Sequence, residues 1–176
     1  MGFGPRRVRK GRKTRKGLGI EREFGPRSAR KGRKTRKERL MTTSRSKKGY
    51  EFEPLSWEVW GACIEVQRHL GRHCMEVDYQ RALEIELRKR GLEFQREFEI
   101  PILYDGIVVT RRRVDFLIWN DTDELLLETK ARQAILDEDV EQCLLYLQNG
   151  NHKVCLLVNF GEKPLGRQRL VYTPKV

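Results

Sequence analysis

Residues 111–131 read RRRVDFLIWNDTDELLLETKA. Two apolar runs, 114–119 and 125–129, flank a turn at 120–123 built from Asn, Asp and Thr. Runs of that length with that punctuation predict two buried strands joined by a hairpin. Three charged residues interrupt the runs: Asp115 in the first, Glu128 and Lys130 at the end of the second. Strand side chains alternate between faces, so Glu128 and Lys130 share one, and an antiparallel partner can bring Asp115 beside them. Burying two carboxylates and an ammonium is costly unless they pair or hold a metal. The hairpin is therefore where chemistry is expected.

Working outward, the spacing predicts a helix over 57–70, capped by Ser56, stopped by Gly71, with Trp57, Trp60, Cys63 and Ile64 toward the core. A second helix is expected over 76–90, with Tyr79, Ala82, Leu83 and Leu87 as its apolar stripe and Gly91 as its stop. Glu76 opens it, where the helix dipole favours a carboxylate. Residues 92–103 alternate loosely and read as a strand. Tyr104-Asp105-Gly106 is a hairpin turn, and the return strand runs from 107 through the three arginines into 114–119. After 124–130 comes a helix over 137–147, with Val140, Cys143, Leu144 and Leu147 inward and Gly150 as its end. A buried strand follows at 154–160 and a shorter one at 170–173. The order ααβββαββ implies a mixed sheet flanked by helices, one α/β or α+β domain over residues 52–176.

The net charge of +12 is unevenly placed. Residues 1–48 hold 20 Lys and Arg against 3 Asp and Glu, a net of +17; the remaining residues hold 17 against 22, a net of −5. Nucleic-acid affinity through charge thus belongs mainly to the tail. The tail repeats itself: FGPRRVRKGRKTRK at 3–16 and FGPRSARKGRKTRK at 24–37 agree at 12 of 14 positions. With so little to bury, it is expected to be disordered. It reads either as a polybasic arm for phosphates or as an extension preceding a start at Met41. Cys63, Cys74, Cys143 and Cys155 lack CxxC spacing and are expected as reduced thiols in a cytoplasmic protein. No apolar run is long enough for a membrane span, and no secretory h-region is expected.

Mg²⁺ prefers oxygen ligands and is commonly held by one or two protein carboxylates. Asp115 and Glu128 would supply them, with the backbone carbonyl of Thr129 as a further ligand. Lys130 would orient a water or neutralise charge on a phosphate. Glu76 would add a carboxylate from its helix. Gln142 and Tyr146, four apart, share a helix face and could hold a water or a substrate phosphate. Arg111, Arg112 and Arg113 could meet a nucleic-acid backbone. The plainer alternatives are a salt bridge between Lys130 and either carboxylate, core tyrosines at 79 and 146, and a solvated arginine strand edge. A zinc cluster of His69, His73 and Cys74 lacks a fourth ligand at suitable spacing.

Asp115 followed by Glu128-Thr129-Lys130 resembles the PD-(D/E)XK nuclease motif, and Gln142-Cys-Leu-Leu-Tyr146 resembles the QxxxY element of its RecB-like members. More closely, 57–172 resembles the bacterial GxxExxY protein family through GACIEVQRHLG at 61–71, EVDY at 76–79, RVD at 113–115, ETKA at 128–131, EQCLLYL at 141–147 and LLVNFG at 156–161. The resemblance implies a restriction-endonuclease-like core and a divalent-metal site for Mg²⁺ or Mn²⁺. In it, Asp115 and Glu128 bind the metal, Lys130 assists the attacking water, Glu76 is the helical acid and Gln142 an accessory polar group. The chain departs from the pattern at His73, where the family has glycine, and at Thr129, where a large aliphatic is usual. Two functions are expected: a metal-dependent nuclease acting on DNA, or a non-catalytic nucleic-acid-binding protein with a nuclease-like fold and a basic tail.

Overall fold

The computed structural model describes Arg22–Glu23 and residues 53–173. The expectation of disorder over residues 1–48 otherwise lies outside the described residues. The elements are β1 (Arg22–Glu23), α1 (Glu53–Leu70), α2 (Glu76–Lys89), β2 (Glu93–Tyr104), β3 (Ile107–Trp119), β4 (Glu124–Lys130), α3 (Asp137–Gly150), β5 (Val154–Asn159) and β6 (Gly166–Val171). From α1 onward the order is ααβββαββ, as the periodicity predicts. The sheet order is β1-β6-β5-β4-β3-β2. β4 and β5 run parallel, joined across α3, and the remaining pairs are antiparallel. The result is the mixed sheet flanked by helices of a restriction-endonuclease-like fold.

Two cores sandwich the sheet. One packs α1 and α2 residues Val59, Cys63, Tyr79 and Leu83 against Phe116, Leu125, Leu127, Leu156 and Phe160. The other packs Val140, Cys143 and Leu147 of α3 against Ile100, Val114, Leu126, Cys155 and Leu157. β4 and β5 feed both, which is why they read as continuous apolar runs rather than as alternation.

Three local expectations are corrected. α1 begins at Glu53, a turn earlier than the Ser56 cap implies; Pro54 fits there because first-turn amides need no helical partner. Its inner face is Leu55, Val59, Trp60, Ala62, Cys63 and Val66, while Trp57 and Ile64 are each 48% exposed. With Trp57 outward, the observed inner face is rotated from the expected one by about a third of a turn. β6 starts at Gly166, four residues before the expected strand. Its first four residues, GRQR, carry no apolar signature, and Arg167 among them lies over the Trp60 ring at 5.1 Å instead of pointing to solvent.

The loop from α1 to α2 answers the departure at His73. The left-handed residue is Gly71, at φ +74°, and His73 is not among the positive-φ residues. Tyr79 reaches back into this loop: its hydroxyl donates to the Gly71 carbonyl (2.9 Å), and its ring stacks on Phe160 at 4.4 Å. The β2–β3 turn places Asp105 and Gly106 both at positive φ, +50° and +76°, matching a two-residue hairpin that follows the strand twist. Residues 103–113, around this turn, are exposed throughout and form a two-stranded arm beyond the layered part of the sheet. Among the described residues no helix is long and apolar enough to cross a membrane, and all four cysteines are free thiols.

Candidate active site

β3 and β4 pair from Trp119↔Glu124 to Phe116↔Leu127 and then part. The next residues in register would be Asp115 and Glu128. Buried backbone donors need partners, and here the carboxylates supply them. The Thr129 amide donates to Asp115 Oδ2 (2.7 Å), and the Asp115 amide faces Glu128 Oε2 at 3.4 Å. On its other side β3 pairs with β2 in one register from Glu93↔Trp119 to Ile102↔Thr110, but the Glu97/Asp115 rung is skipped, and Glu97 lies at φ +49°. Val114 and Phe116, two apart, consequently fall in opposite cores. Asp115 sits at the point where the ribbon changes face.

Lys130 closes the cluster. Its Nζ lies 2.7 Å from Glu128 Oε1 and 3.1 Å from Gln142 Oε1. The pair is buried, with side-chain exposures of 10% and 4%. Burial, then the charge of Asp115, pushes Glu128 up to about 7 despite the ammonium beside it. Burial opposes the Lys130 charge, but Glu128, Glu76 and Asp115 outweigh it and hold its pKa above the ordinary value. Glu76, half-buried at the start of α2, is raised by burial and by Asp115, and drawn back by Lys130, Arg132 and a backbone hydrogen bond at Ala131. Three carboxylates thus converge electrostatically on one lysine.

Two hydrogen-bond chains reach this cluster from opposite layers, and chemistry fixes the direction of both. On the α3 side the Arg113 carbonyl can only accept, so the Tyr146 hydroxyl donates to it (2.8 Å). Tyr146 then accepts from Gln142 Nε2 (2.6 Å), which turns Gln142 Oε1 toward Lys130. On the α2 side Arg96 can only donate. Its Nη2 donates to Gln80 Oε1 (2.8 Å) and its Nη1 to Glu84 Oε1 (2.8 Å). Gln80 Nε2 then donates to Thr129 Oγ1 (3.1 Å), and that hydroxyl donates to Asp115 Oδ2 (2.5 Å).

A third polar cluster holds the loop after β4. Asn159, fully buried at the end of β5, accepts from the Arg132 amide (3.0 Å) and the Gly161 amide (3.2 Å). It donates to the Arg132 carbonyl (2.9 Å) and to Glu162 Oε1 (2.8 Å). A Cβ on Gly161 would lie 2.1 Å from the Arg132 carbonyl oxygen, so the two chains can only meet across a glycine. The NFG within LLVNFG is therefore a clamp that fixes where ETKA ends.

The residues expected from the sequence are distributed unevenly. Asp115, Glu128, Lys130 and Gln142 are joined directly, and Glu76 acts on them through charge. Thr129, expected to offer its backbone carbonyl, commits its amide and hydroxyl to Asp115. Tyr146, expected as a nucleic-acid contact, is 1% exposed and cannot present its ring to a base; its hydroxyl is spent on Gln142 and the Arg113 carbonyl. Arg111 and Arg113 are exposed but pair across the arm with Glu99 (3.5 Å) and Glu97 (2.9 Å). Exposed pairs of this kind stabilise little and are readily exchanged for another anion. His69 turns back onto Glu65 of its own helix. Gln80, Glu84, Arg96 and Asn159 were missed: a lone polar residue has no periodic signal until its distant partner is known.

The family model of the PD-(D/E)XK nuclease superfamily matches residues 53–170. The chain belongs to the PD-(D/E)XK nuclease superfamily. No curated protein matches the sequence. Among solved structures, the chain is similar to the crystal structure of SSO0001 at 17% identity and a TM-score of 0.46, over 70% of this chain and 61% of that one. It therefore spans less than two thirds of that chain's length.

PD-(D/E)XK nucleases generally use divalent metals. Among the described residues no group of three or more His, Cys, Asp and Glu side chains forms a ready-made metal site. The donor chemistry nevertheless fits a hard cation. Asp115 and Glu128 are oxygen donors on adjacent strands, close enough that the charge of one raises the pKa of the other. Mg²⁺ typically takes one or two such protein ligands and completes its shell with water and substrate.

Proposed function

We propose that this domain hydrolyses phosphodiester bonds in nucleic acid, DNA in the first instance, with Mg²⁺ or Mn²⁺ held by Asp115 and Glu128. The Thr129 carbonyl is a candidate third ligand. The observation that carries the reading is the meeting of Asp115, Glu128 and Lys130 where β3 and β4 part, with Glu76 and Gln142 brought in from opposite layers. A divalent ion bound there would act as a Lewis acid toward a phosphodiester oxygen and lower the pKa of a water. Lys130, aimed by the Gln142 carbonyl, places an ammionium where negative charge develops on phosphorus oxygens. Glu76, with its raised pKa, holds a water by hydrogen bonding beside Asp115. On the arm, Arg111 and Arg113 exchange their glutamate partners for backbone phosphates, and Arg112 between them adds a third guanidinium to the same contact. Glu76 and Tyr79, three apart as in GxxExxY, support the narrower reading of a bacterial GxxExxY protein working in the cytoplasm.

The full chain should cleave DNA with Mg²⁺ or Mn²⁺ and fail to do so in EDTA. Asp115→Ala and Lys130→Ala should each reduce the rate by at least about 100-fold, with RNA assayed alongside as the competing substrate. No cleavage under any of these conditions, or cleavage that survives both substitutions, would sink the catalytic reading.

One observation favours a second reading. Glu128 and Lys130 are paired at 2.7 Å, and Asp115 is occupied by Thr129, an arrangement that satisfies these groups without chemistry. In that reading the nuclease-like domain is an interaction module and residues 1–48 bind phosphates. Nucleic-acid binding would then be strongly salt-dependent, would vanish on deleting residues 1–48, and would occur without hydrolysis.

A further inference from the structure

We infer that Thr129 and Gln80 are positioning residues that hold the Asp115 carboxylate from the α2 side. The inference rests on the proposed metal-dependent activity only for its second readout. Thr129 occupies the variable position of the D…ExK pattern, where strand propensity alone would accept any β-branched side chain. Its surroundings demand more than shape. Asp115 Oδ2 receives two donors from this one residue, the backbone amide at 2.7 Å and the hydroxyl at 2.5 Å. A hydroxyl can rotate, and nothing on Thr129 itself decides which way its proton points. Gln80 decides it, by donating to Oγ1 from Nε2 at 3.1 Å. An amide can flip, and Arg96 prevents that, because a guanidinium offers no acceptor and must meet Gln80 Oε1. Glu84 holds Arg96 in turn at 2.8 Å.

The chain has one possible polarity: Arg96 to Gln80 to Thr129 to Asp115, each donating to the next. It leaves Oδ1 of Asp115 outside these bonds and fixes the plane of the carboxylate. Glu76, Gln80 and Glu84, four apart, lie along one face of α2. That helix therefore contributes both an acid for the site and the brace for the carboxylate opposite it. A valine at 129 would keep the volume and β-branching and lose the hydroxyl, both the donor to Asp115 and the acceptor for Gln80, whereas a serine would keep both.

The experiment compares Thr129→Val, Thr129→Ser and Gln80→Leu in the full chain. The first readout needs no metal: amide hydrogen exchange at residue 129, whose N–H is bonded to Asp115 Oδ2. Thr129→Val and Gln80→Leu should speed exchange there about 10-fold while α3 amides are unchanged, and Thr129→Ser should restore the wild-type rate. The second readout is Mn²⁺ affinity by calorimetry, expected to fall about 10-fold in Thr129→Val and Gln80→Leu and to recover in Thr129→Ser. If residue-129 exchange in Thr129→Val matches wild type, or Thr129→Ser behaves as Thr129→Val does, the positioning role is overturned. If exchange responds as expected while the wild-type chain binds no Mn²⁺, the brace stands and the metal-dependent reading fails.

Discussion

Glu128 is the residue whose protonation couples most directly to folding. Its side chain is 4% exposed, and burial followed by Asp115 pushes its carboxyl up to about 7, against an ordinary value of 4.5. Because the folded value is the higher one, the folded state retains a proton that the unfolded state releases between those two pH values. The stabilisation from neutral Glu128 is complete below about 4.5 and is lost as pH rises through about 7. In EDTA, unfolding free energy should fall between pH 5 and pH 7.5 by about 2 kcal/mol. Glu128→Gln should flatten that slope; denaturant titrations of both proteins at the two pH values provide the check. A parallel slope in the variant would mean that Glu128 titrates at its ordinary position. At this scale the sequence made Asp115, Glu128 and Lys130 visible, because charges inside apolar runs are conspicuous. It marked Thr129 only for its backbone carbonyl and concealed the part played by its hydroxyl, which matters because Gln80 and Arg96 approach it from elements 49 and 33 residues away in the chain.

Among the elements, β5 has the least obvious task. Its run VCLLVN reads as core, with Asn159 falling inside the buried strand expected over 154–160. In the fold that asparagine replaces an entire segment of backbone pairing for the loop after β4, bonding the Arg132 amide and carbonyl at once. Asn159→Ala should strip partners from those part-buried groups and lower stability by roughly 1 to 3 kcal/mol. The urea midpoint should drop with an unchanged slope, and Gly161→Ala should do the same by driving a methyl into the Arg132 carbonyl. A wild-type midpoint in either variant would show that the loop is held by other means. The elements themselves were legible where turn chemistry is strong: Asp-Gly after β2 and the Asn-Asp turn before β4 mark their strands plainly. They were misread where an amphipathic side chain lies inward, as Arg167 does over Trp60, or where a large aromatic, Trp57, faces solvent.

Across the whole molecule, charge and chemistry occupy different places. The basic residues concentrate in the first 48, while the domain with the candidate site is net acidic, so the nuclease reading depends on the geometry around Asp115 rather than on overall basicity. The layered arrangement was legible because three helices and five strands follow their periodicities in an order with few alternatives. The way the layers meet at one point was not, since Glu76 and Gln142 approach Lys130 from opposite layers only once the sheet order is known. The β2–β3 arm stands apart from those layers. From 103 to 113 none of its residues is buried, and Leu103, Tyr104, Ile107 and Val109 face outward along with three arginines. Such a ribbon is held by one ladder of hydrogen bonds and a few surface ion pairs, so it should open as a unit of its own, well below the free energy that unfolds the domain. Trypsin at native conditions should therefore cut the described part of the chain first at Arg111, Arg112 or Arg113. The nicked fragments should stay associated through the sheet and melt with the intact domain. A first cut in β6, at Arg167 or Arg169, would instead mark the far side of the sheet, where β6 lies between β1 and β5, as the weaker one.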